Sequence, residues 1–215
     1  MVISKDPVPH FNLNINGVNI ARVNKYVYLG TVINDQWDSS IEVRCRIEKA
    51  RSVFNRMATT LKSHELPMGL KIRILQCYVF SVLYYGVEAW TLTAATEAKL
   101  EAFEMWLYRR MLRVSWTQRV TNEEILRRMG KAKEVLATVK RRKLQYLGHI
   151  MRHEERYQLP ICILQGKILG ARGRGRRRIS WLRNLREWFN QSTPGLFRAA
   201  VNRGITQMVA NIRPG

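Results

Sequence analysis

The chain has 215 residues, enough for one or two domains with a packed core, and its 46% hydrophobic content argues against a disordered polymer. Lys and Arg number 37 against 16 Asp and Glu, a formal net charge of +21. Self-repulsion on that scale calls for a polyanionic partner, RNA or DNA before an anionic membrane surface. Three widely spaced cysteines, Cys45, Cys77 and Cys162, suggest no disulfide framework and fit a reducing compartment. Asp6, Pro7 and Pro9 stand where a secretory signal needs an apolar core, and the most apolar run, 77–83, is too short for a bilayer. The expectation is an intracellular protein without a membrane, nuclear or in a cytoplasmic ribonucleoprotein.

The opening reads as β. Phe11, Leu13 and Ile15 alternate with asparagines, Asn16-Gly17 is the dipeptide favoured in a two-residue hairpin, and Val18 and Ile20 continue the alternation. A third apolar run spans 26–33. The predicted unit, 1–36, is a small hairpin or three-stranded sheet. From 37 onward the pattern is helical. Ser39-Ser40-Ile41-Glu42 has capping-box spacing, followed by apolar Val43, Ile47, Ala50, Phe54, Met57, Ala58 and Leu61 at helical period. The opposite face carries Arg44, Arg46, Lys49, Arg51 and Arg56.

Pro67 suits the first position of a second helix, running towards Tyr85 and apolar nearly all round. Cys77, inside it, reads as a buried thiol. A third helix fits 96–114. Thr121-Asn122-Glu123-Glu124 is a second capping box, with Gly130 placed to end that helix, and another helix fits 134–153. Helices then follow from Trp181 and from Thr193-Pro194. The chain divides into 1–36, a helical thumb-like region over 37–115, and a basic helical region over 116–215. The fold class is mainly α with a small N-terminal β unit.

Between 140 and 186 there are fourteen Lys or Arg against two acids, Glu154 and Glu155. Lys140, Arg141, Arg142 and Lys143 open this region, and "GARGRGRRRISW" adds Arg172, Arg174, Arg176, Arg177 and Arg178 in seven residues. Arginine forks match phosphate geometry, and interleaved glycines let backbone approach a strand. A localisation run is the plainer reading; the extent of the excess favours nucleic acid. Trp181 and Trp188 fall on an apolar stripe and read as core. His149 and His153, at i and i+4 with Cys162 beyond, lack the fourth ligand of a closed zinc site. Asp6, Asp35 and Asp38 are too few and too local for a paired-metal centre, and no phosphate-binding loop or nucleophile elbow occurs.

At "NKYVYLGTVIND" a resemblance appears. Tyr28-Leu29-Gly30 after an apolar strand resembles the primer grip of non-LTR retrotransposon reverse transcriptases. "IEVRCRIEKARSVFNRM" looks like the first thumb helix, and "LPMGLKIRILQCYVFSVLYYGVEAWTL" is similar to the segment after it. "LEAFEMWLYRRMLRVSW", "VTNEEILRRMG", "RRKLQYLGHIMRH" and "GARGRGRRRISW" follow in the family's order. The resemblance covers roughly 20–190 and implies a C-terminal portion that grips template and primer. Tyr28, Leu29 and Gly30 would then lie beside the primer end, with Arg44 and Arg51 on the duplex backbone. The family's Tyr-x-Asp-Asp segment is absent, so magnesium is implied only for a palm outside this chain, and no cofactor for the chain itself. The implied partners are RNA or DNA and the palm-bearing remainder of a polymerase. A stand-alone basic RNA- or DNA-binding protein is the alternative.

Overall fold

Asn16 and Gly17 both lie in the left-handed region, at φ 52° and 82°, and fold β1 (Leu13–Ile15) back onto β2 (Val18–Ile20). Leu13 stands opposite Ile20, and Ile15 opposite Val18. The computed structural model describes residues 13–21, 23–36, 38–168, 179–202 and 204–210. Within it, the third apolar run is a second hairpin rather than one strand. In it β3 (Lys25–Tyr28) pairs antiparallel with β4 (Thr31–Asn34), Tyr28 opposite Thr31. The turn is Leu29-Gly30, at φ 46° and 80°. A branched leucine pays a steric cost in that region, so Leu-Gly is no sequence signal for a tight hairpin. The two hairpins are separate two-stranded sheets.

The helical body follows. In α1 (Ser39–Arg56) the expected stripe of Val43, Ile47, Ala50 and Phe54 is buried. Its cap is Asp38, one residue before the anticipated serine, whose carboxylate accepts from Ser40 N. Glu42 does not reach back to close a capping box. It accepts from Val32 N at 2.7 Å and from Arg46 Nε at 2.6 Å, joining hairpin to helix. The helix ends at Met57, and α2 (Ala58–Lys62) carries Leu61 inward.

Pro67 precedes α3 (Met68–Ile74), which widens into a π turn at Leu75–Phe80 before α4 (Ser81–Leu83). The wider turn aims Leu75, Val79 and Phe80 inward and leaves Cys77 exposed, against the expectation of a buried thiol. Thr93 and Thr96 cap each other at the start of α5 (Ala94–Met111). In α6 (Asn122–Met129) Thr121 accepts from Glu124 N and Gly130, at φ 63°, ends the helix as the spacing predicts, but the Glu124 carboxylate turns to Arg127 and Arg128 and does not close the expected box. Then come α7 (Val135–Arg152), an unanticipated α8 (Gln158–Gln165) and α9 (Trp181–Phe189). Last are α10 (Thr193–Val201) and α11 (Ile205–Ala210), where one helix was expected.

Buried side chains form two clusters. The first joins α1, the π turn, α4, α5 and α6 to the start of α7, as far as Val139. The second runs from Leu144 and Leu147 of α7 to Leu185, Leu196, Ala200 and Ile205. Thus α7 belongs to both. Its first turn has no side-chain cap of its own. Glu104 of α5 supplies one from a distance, accepting from Glu134 N at 2.7 Å, Val135 N at 3.2 Å and the Tyr108 hydroxyl at 3.0 Å. Burial pushes the Glu104 carboxyl above the ordinary carboxylate range, with the bonds from Glu134, Tyr108 and Val135 opposing.

Where the clusters meet stands Lys143, one of the predicted phosphate contacts. Val139, Lys143 and Leu147 are four residues apart, so the lysine falls on the inner face of α7 and is fully buried. It reaches no solvent and is a packing residue. Its ammonium donates to Trp90 O at 2.6 Å and to Asn184 Oδ1 at 3.2 Å, between the rings of Trp181 and Trp188 at 4.9 and 5.1 Å. Asn184 in turn accepts from Leu92 N and donates to Leu92 O, each at 2.8 Å.

Desolvation pulls the Lys143 ammonium from an ordinary 10.5 down to about 7, with Glu97 opposing. Between those values the unfolded chain binds the proton that the folded chain has released. Its contribution to stability therefore grows as pH rises from about 7 towards 10.5 and is lost as pH falls through 7. Urea denaturation at pH 7 and pH 9 should show this gain in the parent and a flatter profile in Lys143→Met. A gain of equal size in both proteins would mean that another group titrates.

Candidate nucleic-acid interface

The hairpin turn at Tyr28-Leu29-Gly30 projects into solvent, with Leu29 74% exposed. Its left-handed backbone is held from below. Tyr85 donates its hydroxyl to Leu29 O at 2.7 Å, and Arg46 donates Nη2 to Gly30 O at 2.6 Å. The Arg46 guanidinium lies 4.4 Å from the Tyr85 ring centroid and pairs with the buried Glu42 carboxylate. Arg46 of α1 and Tyr85, just beyond α4, thus hold one carbonyl of the turn each and offset its strain. Arg46, placed by period on the basic face of α1, is a buried tether between helix and hairpin.

The remaining predicted contacts separate into groups. Arg44 is exposed, with only a long 3.4 Å bond from Nε to Ser40 O. Arg51 is half-buried, its guanidinium 4.8 Å from the Trp106 ring and its Nε 3.6 Å from Glu48. On α7, Arg141 is exposed and donates to Thr138 Oγ1 at 3.2 Å. Lys140 lies 5.7 Å from the Trp188 ring. Arg142 folds down onto Tyr84, donating to its carbonyl at 3.1 Å beside Glu88 at 3.8 Å. Burial raises the Tyr84 hydroxyl above the ordinary tyrosine value, which keeps it neutral beneath that guanidinium. Arg172, Arg174, Arg176, Arg177 and Arg178 lie outside the described residues.

Trp181 packs as expected, donating Nε1 to Glu88 O at 2.7 Å, and Trp188 donates to Glu97 at 3.0 Å. The two histidines serve the end of α7. His149 Nε2 lies 3.2 Å from the Tyr157 hydroxyl, and His153 Nδ1 lies 2.8 Å from His149 O. Among the described residues, no three His, Cys, Asp or Glu side chains gather as metal ligands would.

Two acidic side chains, Glu42 and Glu104, are buried, while Glu48, Glu65, Glu123, Glu154, Glu155 and Glu187 are exposed. Glu42, Glu88, Glu101, Glu124, Glu134 and Glu187 pair with Lys or Arg, while Glu104 is the buried cap. By contrast Arg56, Arg73, Arg119, Arg186 and Arg198 are exposed and form no ion pair with a described residue. Because each pair cancels one cation and one anion, the excess of +21 rests on cations such as these.

A cleft beyond the C-terminal end of α5 was not anticipated. It measures about 640 Å³ and brings Lys62, Arg109, Arg110 and Arg113 together around Trp106 and Trp116. The signal was present in "MWLYRRMLRVSW": two adjacent arginines and a third three residues on share one helix end, between two indoles. Lys62, from α2, could not be assigned to that cluster without the fold.

The chain is similar to an uncharacterized transposon-derived protein of Caenorhabditis elegans, with 30% identity over 136 residues. That stretch is 62% of this chain and 48% of the relative, so the match spans about half the relative's length. No protein-family profile matches the chain. No solved structure matches it either.

Two arginines two residues apart on α1, on opposite sides of the helix and opposite in burial, give a direct test. Arg46→Ala leaves the Glu42 carboxylate buried without its partner and should cost about 3–5 kcal/mol of stability. Arg44→Ala, on the exposed face, should stay within about 0.5 kcal/mol of the parent. Urea midpoints measure both, and equal values would remove the tether assigned to Arg46.

Proposed function

We propose that this chain is the C-terminal segment of a non-LTR retrotransposon reverse transcriptase, of transposable-element origin, which holds template–primer or element RNA through phosphate contacts. The observation that carries the reading is the excess of +21, with Arg56, Arg73, Arg119, Arg186 and Arg198 exposed and in no ion pair with a described residue. Exposed cations in such an excess present an electrostatic surface suited to a phosphate backbone. The resemblance in seven ordered blocks and the likeness to a transposon-derived protein support the element origin. The exposed turn at Leu29-Gly30, braced on the first thumb-like helix, suits a part that sits against a primer.

A second reading, a stand-alone basic nucleic-acid-binding protein, draws on the relative being described as transposon-derived and on the two packed clusters of this chain. A palm-encoding frame immediately upstream in the genomic DNA would favour the first reading. Its absence would favour the second.

Both readings require salt-sensitive binding. Log affinity for a primer–template duplex should fall against log salt with a slope near −0.9 per phosphate contacted, about −5 for six contacts. Fluorescence anisotropy between about 50 and 200 mM salt measures this, and a flat affinity excludes both. Replacing Arg174, Arg176 and Arg177 with Ala should shallow the slope by up to about three contacts' worth. An unchanged slope would return that run to a localisation role.

The purified chain should not extend a primer, even with magnesium or manganese, since Asp6, Asp35 and Asp38 are its only aspartates. Template-dependent incorporation that disappears when Asp35 or Asp38 is replaced would sink this expectation.

A further inference from the structure

The cleft beyond α5 has features that the general charge excess does not explain. Trp116 stands at its rim 86% exposed, the most exposed large apolar side chain among the described residues. An indole in water is unfavourable, and here the backbone itself is arranged to hold it out. Arg113 turns left-handed at φ 56° directly after α5, where Val114 N still bonds Arg109 O at 3.0 Å. Ser115 caps a single 3₁₀ turn, Trp116–Gln118, accepting from Thr117 N and from the Thr117 hydroxyl. Arg119 closes that turn at φ 49°, left-handed again. Two non-glycine residues in this region within seven positions mark strain that the fold retains.

The cations around the indole are held in place, and no carboxylate lines the cleft. Arg109 is anchored to the following loop, donating Nη2 to Val120 O at 2.7 Å and to Asn122 Oδ1 at 3.0 Å. Arg113 Nη1 lies 2.8 Å from His64 Nε2. Arginine can only donate, so this imidazole nitrogen is the acceptor. Arg110 lies 5.3 Å from the Trp106 ring, whose surroundings also include Arg51 at 4.8 Å. Lys62 completes the ring from α2. An anchored set of cations beside an outward aromatic face is the arrangement that tracks a phosphate backbone while stacking bases.

We propose that this cleft takes a single-stranded stretch of nucleic acid, with one unpaired base stacked on Trp116 and the flanking phosphates on Lys62, Arg110 and Arg113. The strand must be unpaired at that point, because bases in a duplex already stack on each other and offer no face to an indole. The inference rests on the nucleic-acid reading above and adds to it a site and a strand state. Backbone contacts elsewhere on the basic surface accept duplex or single strand alike; Trp116 distinguishes them.

The test compares the full 215-residue chain with Trp116→Ala, Trp116→Phe and Arg110→Gln/Arg113→Gln, using an oligo(U) single strand and a duplex of the same length. Trp116→Ala should weaken single-strand binding by about 5- to 150-fold and leave duplex affinity within about twofold. Trp116→Phe should retain most of the single-strand affinity, since it keeps an aromatic face. The double arginine variant should weaken single-strand binding and shallow its salt slope by about two contacts. Thermal melting of Trp116→Ala should match the parent; if it does not, the Trp116→Phe and arginine variants decide. Single-strand affinity unchanged in Trp116→Ala overturns the proposal, and points to a protein surface covering the indole in a longer polypeptide. A parent that binds duplex alone overturns the strand state but spares the nucleic-acid reading. A parent that binds neither sinks both.

Discussion

One buried amine joins the two halves of this molecule. Lys143 is shut away from water between two indole faces, and its remaining partners are the carbonyl of Trp90 and the side chain of Asn184. Removing a cation from water is costly, and the two indole faces and two oxygens offset only part of that cost, which is why the proton is held less tightly than on a free lysine. That requirement fixes the position of α9, since Trp181, Asn184 and Trp188 all come from one face of it. It also fixes the turn before α5, since Trp90 and Leu92 are gripped from the other side. With α9 placed, the second apolar cluster has its outer wall, and α7 has one foot in each cluster.

The carboxylates obey a similar constraint. Glu104 bridges α5 to the first turn of α7, and Glu42 bridges the second hairpin to α1. In both places one acid satisfies backbone N–H groups far away in sequence, a task usually left to a neighbouring cap residue. The two differ in what they do to the exterior: Glu104, spent on backbone N–H groups and the Tyr108 hydroxyl, neutralises no surface cation, whereas Glu42 takes Arg46 inward with it.

Much of the architecture was legible because it rests on local patterns. The stripe of α1, the Asn16-Gly17 turn, the Thr121 cap and the Gly130 stop follow from period and backbone preference. What escaped depends on contacts distant in sequence. Leu29 adopts a left-handed turn only because Tyr85 and Arg46 grip it from below. The π turn at Leu75–Phe80 shifts the phase of a helix apolar all round, which reverses the expectation for Cys77. Lys143 could have been read correctly from its spacing to Val139 and Leu147, but its charge outweighed its position on that four-residue stripe. As for the interface, the cations of α1 and α7 were named from sequence, yet Arg142 and Arg51 lean on aromatic rings, and the cleft around Trp116 needed α2 and α5 to be brought side by side.

The distance along the chain between Lys143 and Asn184 also has a meaning in time. During synthesis, the first apolar cluster can assemble once α7 has emerged, because its members end at Val139. Asn184 follows Lys143 by 41 residues. At ordinary elongation rates that interval lasts roughly 2–8 seconds. Throughout it, Leu144 and Leu147 lack their covering helix, and Lys143 remains hydrated and charged. The arginine-rich stretch at 172–178 leaves the ribosome inside the same interval, ahead of the tryptophans that close the site. A nascent chain thus presents its most basic segment before its second core exists, and any polyanion near the ribosome meets that segment while the last helices are still unmade.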